Sequence, residues 1–254
     1  MRSQLIDVFH MPQKTVFNRK IAKKQFYEQG QLTPDEKELL TTEIDSIYLL
    51  AICKQDTLNI SKYVNEDKRY EEIYWLSVSF KTINRYERMV KLFHKVLPNP
   101  IVIIASDENE NISISAAHKR LNNNDETKVV VGNVIQSPWI KLSDVNDGVQ
   151  RFLQRIRFNN LSYSNLWAFY ESVHSAITMS SLIENISTYP KISTSSEELL
   201  PLITSLKDVD KSIDQLRLLQ KEQLDFGEKI ELHIKIKKRE QEKEQILKQI
   251  RELC

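Results

Sequence analysis

Glu72-Ile-Tyr-Trp-Leu-Ser-Val-Ser-Phe-Lys81, the segment 84–97 and Ile101-Val-Ile-Ile-Ala-Ser106 together decide the fold class. From Ile73 to Lys81 the pattern alternates, with Tyr74, Leu76, Val78 and Phe80 on one face and Trp75, Ser77, Ser79 and Lys81 on the other. Alternation of this kind predicts a strand covered on one side. Asn84 followed by Glu87 predicts a capping box, and Met89, Leu92, Phe93 and Val96 recur at helical spacing before Pro98-Asn-Pro100 ends the helix. Ile101 to Ile104 is apolar without alternation, which predicts a strand covered on both faces. A helix between two strands is what a parallel crossover requires.

Working outward, Thr33-Pro-Asp-Glu36 predicts a helix start, with a hydroxyl cap, a proline in the first turn and an acid at the third position. That helix is expected to reach about Ile47, and the apolar run 46–52 is expected to form a strand pairing with 72–81. After Ile104, Ile112-Ser-Ile-Ser-Ala-Ala117 alternates, a polar loop follows over 122–127, and Lys128-Val-Val-Val131 with Val134-Ile135 predicts a third strand. From Asp147 the chain turns helical, and Leu166, Phe169, Val173, Ile177 and Ser180 share one helical face. The fold class expected is α/β (α+β): a mixed sheet with flanking helices, followed by a long helical or coiled-coil tail.

Tyr189-Pro-Lys-Ile-Ser-Thr-Ser-Ser196 is the linker candidate, which divides the chain into a mixed α/β domain over 1–190 and a helical tail over 191–254. In the tail, Leu202, Leu206, Val209, Ile213 and Leu216 keep a four-three rhythm. Leu232, Ile236, Ile246, Ile250 and Leu253 keep it too, with Arg239 and Lys243 in the intervening core slots. These ten apolar residues are the expected oligomerisation seam. The rhythm is compatible with one rod or with a fold-back near Gly227.

Composition excludes several chemistries. The chain has 254 residues, with 36 Lys plus Arg against 35 Asp plus Glu, so any attraction to nucleic acid depends on local clustering. Its four glycines are too dispersed for a phosphate-cradling loop, and no cofactor is expected. Two cysteines without a Cys-x-x-Cys pair and five scattered histidines predict no metal site and no structural disulfide. No apolar run has membrane-spanning length, and the expected compartment is the cytoplasm.

Positive charge gathers in two places. One is the arm carrying Lys14, Arg19, Lys20, Lys23 and Lys24, with Phe17, Phe26 and Tyr27 interleaved. The other is the helical stripe Arg85, Arg88, Lys91 and Lys95. Both are candidate phosphate contacts, and both also suit ordinary solvated surface. No pattern announces a reaction. A nuclease of the PD-(D/E)xK type needs an acid on one strand and an acid-x-lysine pair on the next. Asp107 and Lys119 stand at strand ends, but position 117, where that pair needs an acid, is Ala117.

The succession Met11-Pro-Gln-Lys-Thr-Val16, Ile21-Ala-Lys-Lys-Gln-Phe-Tyr-Glu28, Thr57-Leu-Asn-Ile60, Ile101-Val-Ile-Ile104, Ala116-Ala-His-Lys119 and Trp139 resembles the bacterial family known as domain of unknown function 4391. Lys221-Glu-Gln-Leu-Asp-Phe226 through Lys229-Ile-Glu-Leu-His-Ile-Lys-Ile236 looks like that family's coiled-coil tail. The resemblance implies relatives encoded beside the DNA methyltransferases and helicases of restriction-like and anti-phage systems. It implies no catalytic residues. The function expected is therefore a non-catalytic accessory subunit of an anti-phage defence complex. Its partners would be proteins, a helicase or methyltransferase among the candidates, or a second copy through the tail, with DNA as a further contact. The alternative is a divergent metal-dependent nuclease using Asp107 and Lys119.

Overall fold

A computed structural model describes residues 1–29, 32–122 and 125–254. Its centre is the predicted crossover: β5 (Glu72–Phe80), α5 (Tyr86–Val96) and β6 (Ile101–Ser106), with β5 and β6 parallel. Before them come α1 (Arg2–Val8), β1 (Val16–Ile21), α2 (Lys23–Gln29), α3 (Pro34–Glu43), β2 (Ile44–Lys54), the single turn α4 (Gln55–Leu58), and the short pair β3 (Tyr63–Val64) and β4 (Arg69–Tyr70). After them come β7 (Asn111–Ala116), β8 (Lys119–Asn122), β9 (Asp125–Val131), β10 (Ile135–Gln136) and β11 (Ile140–Lys141). The helices α6 (Asp147–Arg155), α7 (Leu166–Met179), α8 (Leu182–Ile186), α9 (Ser196–Glu222) and α10 (Phe226–Leu253) follow. The main sheet runs β1-β2-β5-β6-β7-β10, with β11 also pairing β7; every pair except β5/β6 is antiparallel.

Helices cover both faces of this mixed sheet. On one face Ile47, Leu76, Val78, Ile101, Ile103 and Ala105 meet Phe26, Leu39, Leu40, Met89, Val90 and Phe93 from α2, α3 and α5. On the other, Ile73, Trp75, Val102, Ile104, Ile112 and Ile114 meet Leu5, Phe152, Phe169, Val173 and Ile177 from α1, α6 and α7. Strand β6 supplies both, as its unbroken apolar run predicts. The predicted stripe of α7 is buried throughout. The Tyr170 hydroxyl accepts from the Ala117 N–H at 3.0 Å and donates to the Ile101 carbonyl at 2.8 Å, which pins α7 to the ends of β6 and β7.

Several local expectations are corrected. Trp75, expected on a polar strand face, is fully buried, tilted against Phe158 at 5.0 Å and Phe9 at 5.8 Å. Its cover comes from segments remote in sequence, so β5 is buried on both faces here. The predicted box at Thr33 and Glu36 forms, but α3 ends at Glu43 because Ile44 already belongs to β2. The box expected at Asn84 does not form, since α5 starts after Arg85 with no side-chain cap. The segment 128–131 leaves the main sheet and pairs with β8 instead. Of the polar loop expected over 122–127, residues 123 and 124 lie outside the described residues. The basic arm forms the sheet's outer strand β1, bulged between Val16 and Arg19, with Arg19 and Lys20 exposed. Among the described residues, no helix is long and apolar enough to cross a membrane.

The linker candidate is clasped to the body. Tyr189 is buried and its hydroxyl donates to the Ala176 carbonyl, while the Arg155 guanidinium donates to the carbonyls of Lys191 and Thr194. Beyond it, α9 and α10 fold back on each other. Leu199, Ile203, Leu206, Leu247 and Ile250 belong to the same core as Phe152 and Tyr170. The boundary expected at 190/191 therefore separates elements that share one core.

Candidate functional site

The tail is an antiparallel hairpin, each arm about 40 Å long at 1.5 Å per residue, reversing at Gln223-Leu224-Asp225. Its a/d seams meet each other. Val209, Ile213 and Ile236 are buried together, with Leu216 and Ile246 packed against them, while Leu206 and Ile250 join the main core and Leu202 and Leu253 pack on it. Leu232 is half-buried nearer the turn. Residues expected to meet another chain thus satisfy one another within this one, because folding back makes each seam the other's partner. The basic residues in the seam also find local acids. Lys243 pairs with Asp210 across the hairpin at 2.6 Å, Arg239 pairs with Glu242, and Arg217 with Glu240 adds a second cross-hairpin link at 2.9 Å.

Polar groups fix the turn itself. The Gln223 Oε1 accepts from the N–H groups of Leu224 and Asp225, and Gln220 donates to the Lys229 carbonyl. Asp225 caps α10 by accepting from the Glu228 N–H at 2.8 Å. A Cβ on Gly227 would stand 3.1 Å from that Asp225 oxygen, so glycine lets the cap close. The reversal lies just before Gly227, and α10 is helical through Ile230 to Ile236.

What this fixed turn leaves outside is apolar. From Asp214 to Lys235 no residue is buried, and Leu218, Leu219, Leu224, Phe226, Ile230 and Ile234 are all exposed, Leu224 by 93% and Phe226 by 76%. Scattered exposed apolar residues are ordinary, whereas six concentrated on one hairpin end make it a candidate contact surface. A groove of about 460 Å³ runs between the arms there, lined by Leu219, Gln223 and Leu232 and by the acids Glu222, Glu228 and Glu231, with Lys235 the single base. Sequence reading missed these six because they fall off the a/d rhythm. Their signal was the alternation of Ile230, Leu232, Ile234 and Ile236, which puts apolar side chains on two faces of one helix.

The basic candidates lie elsewhere. Lys14, Arg19, Lys20 and Lys24 are exposed on or beside β1, and Lys24 pairs with Glu28. The Lys23 ammonium donates to the Ile44 carbonyl; burial, then neighbouring charge from Lys81, lowers its pKa. On α5, Lys91 pairs with Glu87 and Lys95 with Glu36. Arg85, Arg88 and Lys91 flank Trp139 and Ile83 around a groove of about 620 Å³.

The two residues of the nuclease alternative do not converge. Register places Ser106 opposite Ile112 and Val102 opposite Ala116, so Asp107 and Lys119 leave opposite ends of the β6/β7 pair. The Asp107 carboxylate closes its own turn, accepting from the N–H groups of Asn109 and Asn111 and from the Asn111 amide. Lys119 is buried, its amine donating to the carbonyls of Leu97 and Asn99.

Burial pushes the Lys119 pKa down to about 7, well below the usual lysine value near 10.4. Between those values the unfolded chain holds the extra proton, so this group makes stability rise with pH from about 7 upward, by of order 1 kcal/mol per pH unit. The urea midpoint of the wild type is expected to climb between pH 7 and 9 relative to that of Lys119→Met. Parallel profiles for the two would contradict the assignment. On the same side of the sheet, His94 is buried with Nε2 at 3.2 Å from the Ser115 hydroxyl, and burial, then the Lys119 charge, holds its pKa down to about 3.

Fold and surface define a class: an α/β sandwich that roots a helical hairpin in its core and presents the hairpin's far end. The chain belongs to the domain of unknown function 4391 family, whose model matches residues 9–242. Neither a curated protein nor a solved structure matches it.

Proposed function

We propose that this chain is an accessory subunit of a bacterial anti-phage defence complex and that it assembles through the end of its hairpin. The supporting observation is the turn at 223–225, held by its own hydrogen bonds while Leu224 and Phe226 stand in solvent. The groove beside them is lined by Leu219 and Leu232 together with three acids, Glu222, Glu228 and Glu231, against one base, Lys235. Its complement is an amphipathic helix of a partner protein, apolar on one face and basic at the edges. The defence setting rests on the family resemblance described above. The test is affinity purification of the tagged chain from its native host with cross-linking to map the contact. A stoichiometric partner cross-linked at 214–235 is expected. A solitary chain at native abundance, or a partner attached only elsewhere, would overturn the proposal.

DNA contact is a second reading, favoured by the groove in which Arg85, Arg88 and Lys91 flank an aromatic ring. It predicts duplex or single-strand affinity that falls steeply with salt and drops about tenfold in Arg85→Glu/Arg88→Glu. Binding indifferent to salt or to the substitution excludes it.

A further inference from the structure

Away from the hairpin end, ligand-type atoms concentrate where the chain leaving β7 meets α7. Glu171 and His174 stand three apart on α7, hence on one face, and His118 faces them. Donor atoms of the three lie within 4.8 Å of one another. The His118 ring is held in place between the rings of His174 at 4.1 Å and Trp167 at 4.6 Å. Its Nε2 lies 2.9 Å from the Glu171 carboxylate, and its Nδ1 is 3.1 Å from the Tyr70 hydroxyl. That hydroxyl is itself fixed by accepting the Lys119 N–H.

We propose that His118, Glu171 and His174 bind one divalent transition-metal ion of the zinc class through two imidazole nitrogens and a carboxylate oxygen. Two nitrogens and one oxygen suit such ions, whereas magnesium and calcium favour all-oxygen sites. Donors around a tetrahedral ion sit roughly 3.3 to 3.6 Å apart, so small side-chain adjustments close this set. Side-chain exposure of 27% for His118 and 40% for Glu171 leaves an approach from solvent. Ligation takes the Nε2 lone pair: a neutral ring shifts its one proton from Nε2 to Nδ1, and a doubly protonated ring releases its Nε2 proton to solvent. Nδ1 then carries the remaining ring proton and donates it to the second lone pair of the Tyr70 oxygen. This is the outer hydrogen bond that orients a ligating histidine. Tyr70 is thus a positioning residue. Lys207, whose charge reaches His174, and Lys68, 3.7 Å above the Trp167 ring, are nearby cations that weaken the site without occupying it.

The test is calorimetric titration of the full, chelator-stripped chain with Zn²⁺, with Mg²⁺ as control and Co²⁺ visible absorption as a second readout of the ligand set. One Zn²⁺ per chain is expected and no Mg²⁺. His174→Ala and Glu171→Gln should each weaken Zn²⁺ by at least about tenfold, and Tyr70→Phe by about tenfold. Unfolding in chelator verifies that each variant folds; should His174→Ala fail, the near-isosteric Glu171→Gln decides. Substoichiometric uptake by the wild type, uptake unchanged in the ligand variants, or loss in Cys254→Ser instead would overturn the site.

Discussion

A chain ended at residue 195 is expected to lose cooperative unfolding and near-ultraviolet circular dichroism, although every strand of the sheet remains in it. The reason lies in where the hairpin is rooted. Leu199, Ile203 and Leu206 from α9 and Leu247 and Ile250 from α10 are buried in the core that also holds Phe152, Phe169 and Tyr170. Truncating one such side chain to alanine costs about 2 to 5 kcal/mol, and a domain is stable by about 5 to 15 kcal/mol in total. Removing five at once, and exposing the apolar surface of α7 beneath them, exceeds that margin. The Leu206→Asp variant of the full chain should behave like the truncation. By contrast, Leu216→Ala, farther along the same seam and only half-buried, should shift the midpoint slightly. A truncated chain with a sharp thermal transition would show that the hairpin is an appendage after all.

The opposite result is expected at the other end of the hairpin. In Leu224→Asp/Phe226→Asp the substituted side chains leave no cavity, since both stand almost wholly in solvent, and the hydrogen bonds that shape the turn use backbone groups and the side chains of Gln223 and Asp225. Stability should therefore change by no more than about 0.5 kcal/mol. Partner affinity should fall by about 100-fold, because central apolar anchors dominate a contact of this kind and the new carboxylates stand beside a groove already lined by Glu222, Glu228 and Glu231. Melting curves report the first quantity and titration of the cross-linked partner the second. Unchanged affinity in the double variant would move the contact off this surface.

Local patterns carried the core of the fold. The β5-α5-β6 crossover was legible because alternation, helical recurrence and the prolines at 98 and 100 all agree. Partnership was not legible. Lys128 to Val131 reads as a strand, but nothing local says that it pairs with β8 and leaves the main sheet. Trp75 was misplaced because its cover, Phe9 and Phe158, comes from both distant sides of the sequence. In the hairpin, the a/d rhythm identified the seam but not its partner, which turned out to be the returning helix. The exposed end escaped because its apolar residues answer to what the turn leaves over. Glu171 and His174 show a helical spacing on their own, and only the sheet brings His118 to them.

The outer strand β1 has a consequence for the behaviour of concentrated solutions. Unpaired main-chain groups on a flat sheet rim recruit further strands, the first step toward fibrillar stacking. Here the rim is bent by its bulge and studded with Arg19 and Lys20, so an incoming copy meets a misaligned ladder and like charge. Crowding should therefore leave this side inert, and any clumping of the purified protein should start from the hairpin end.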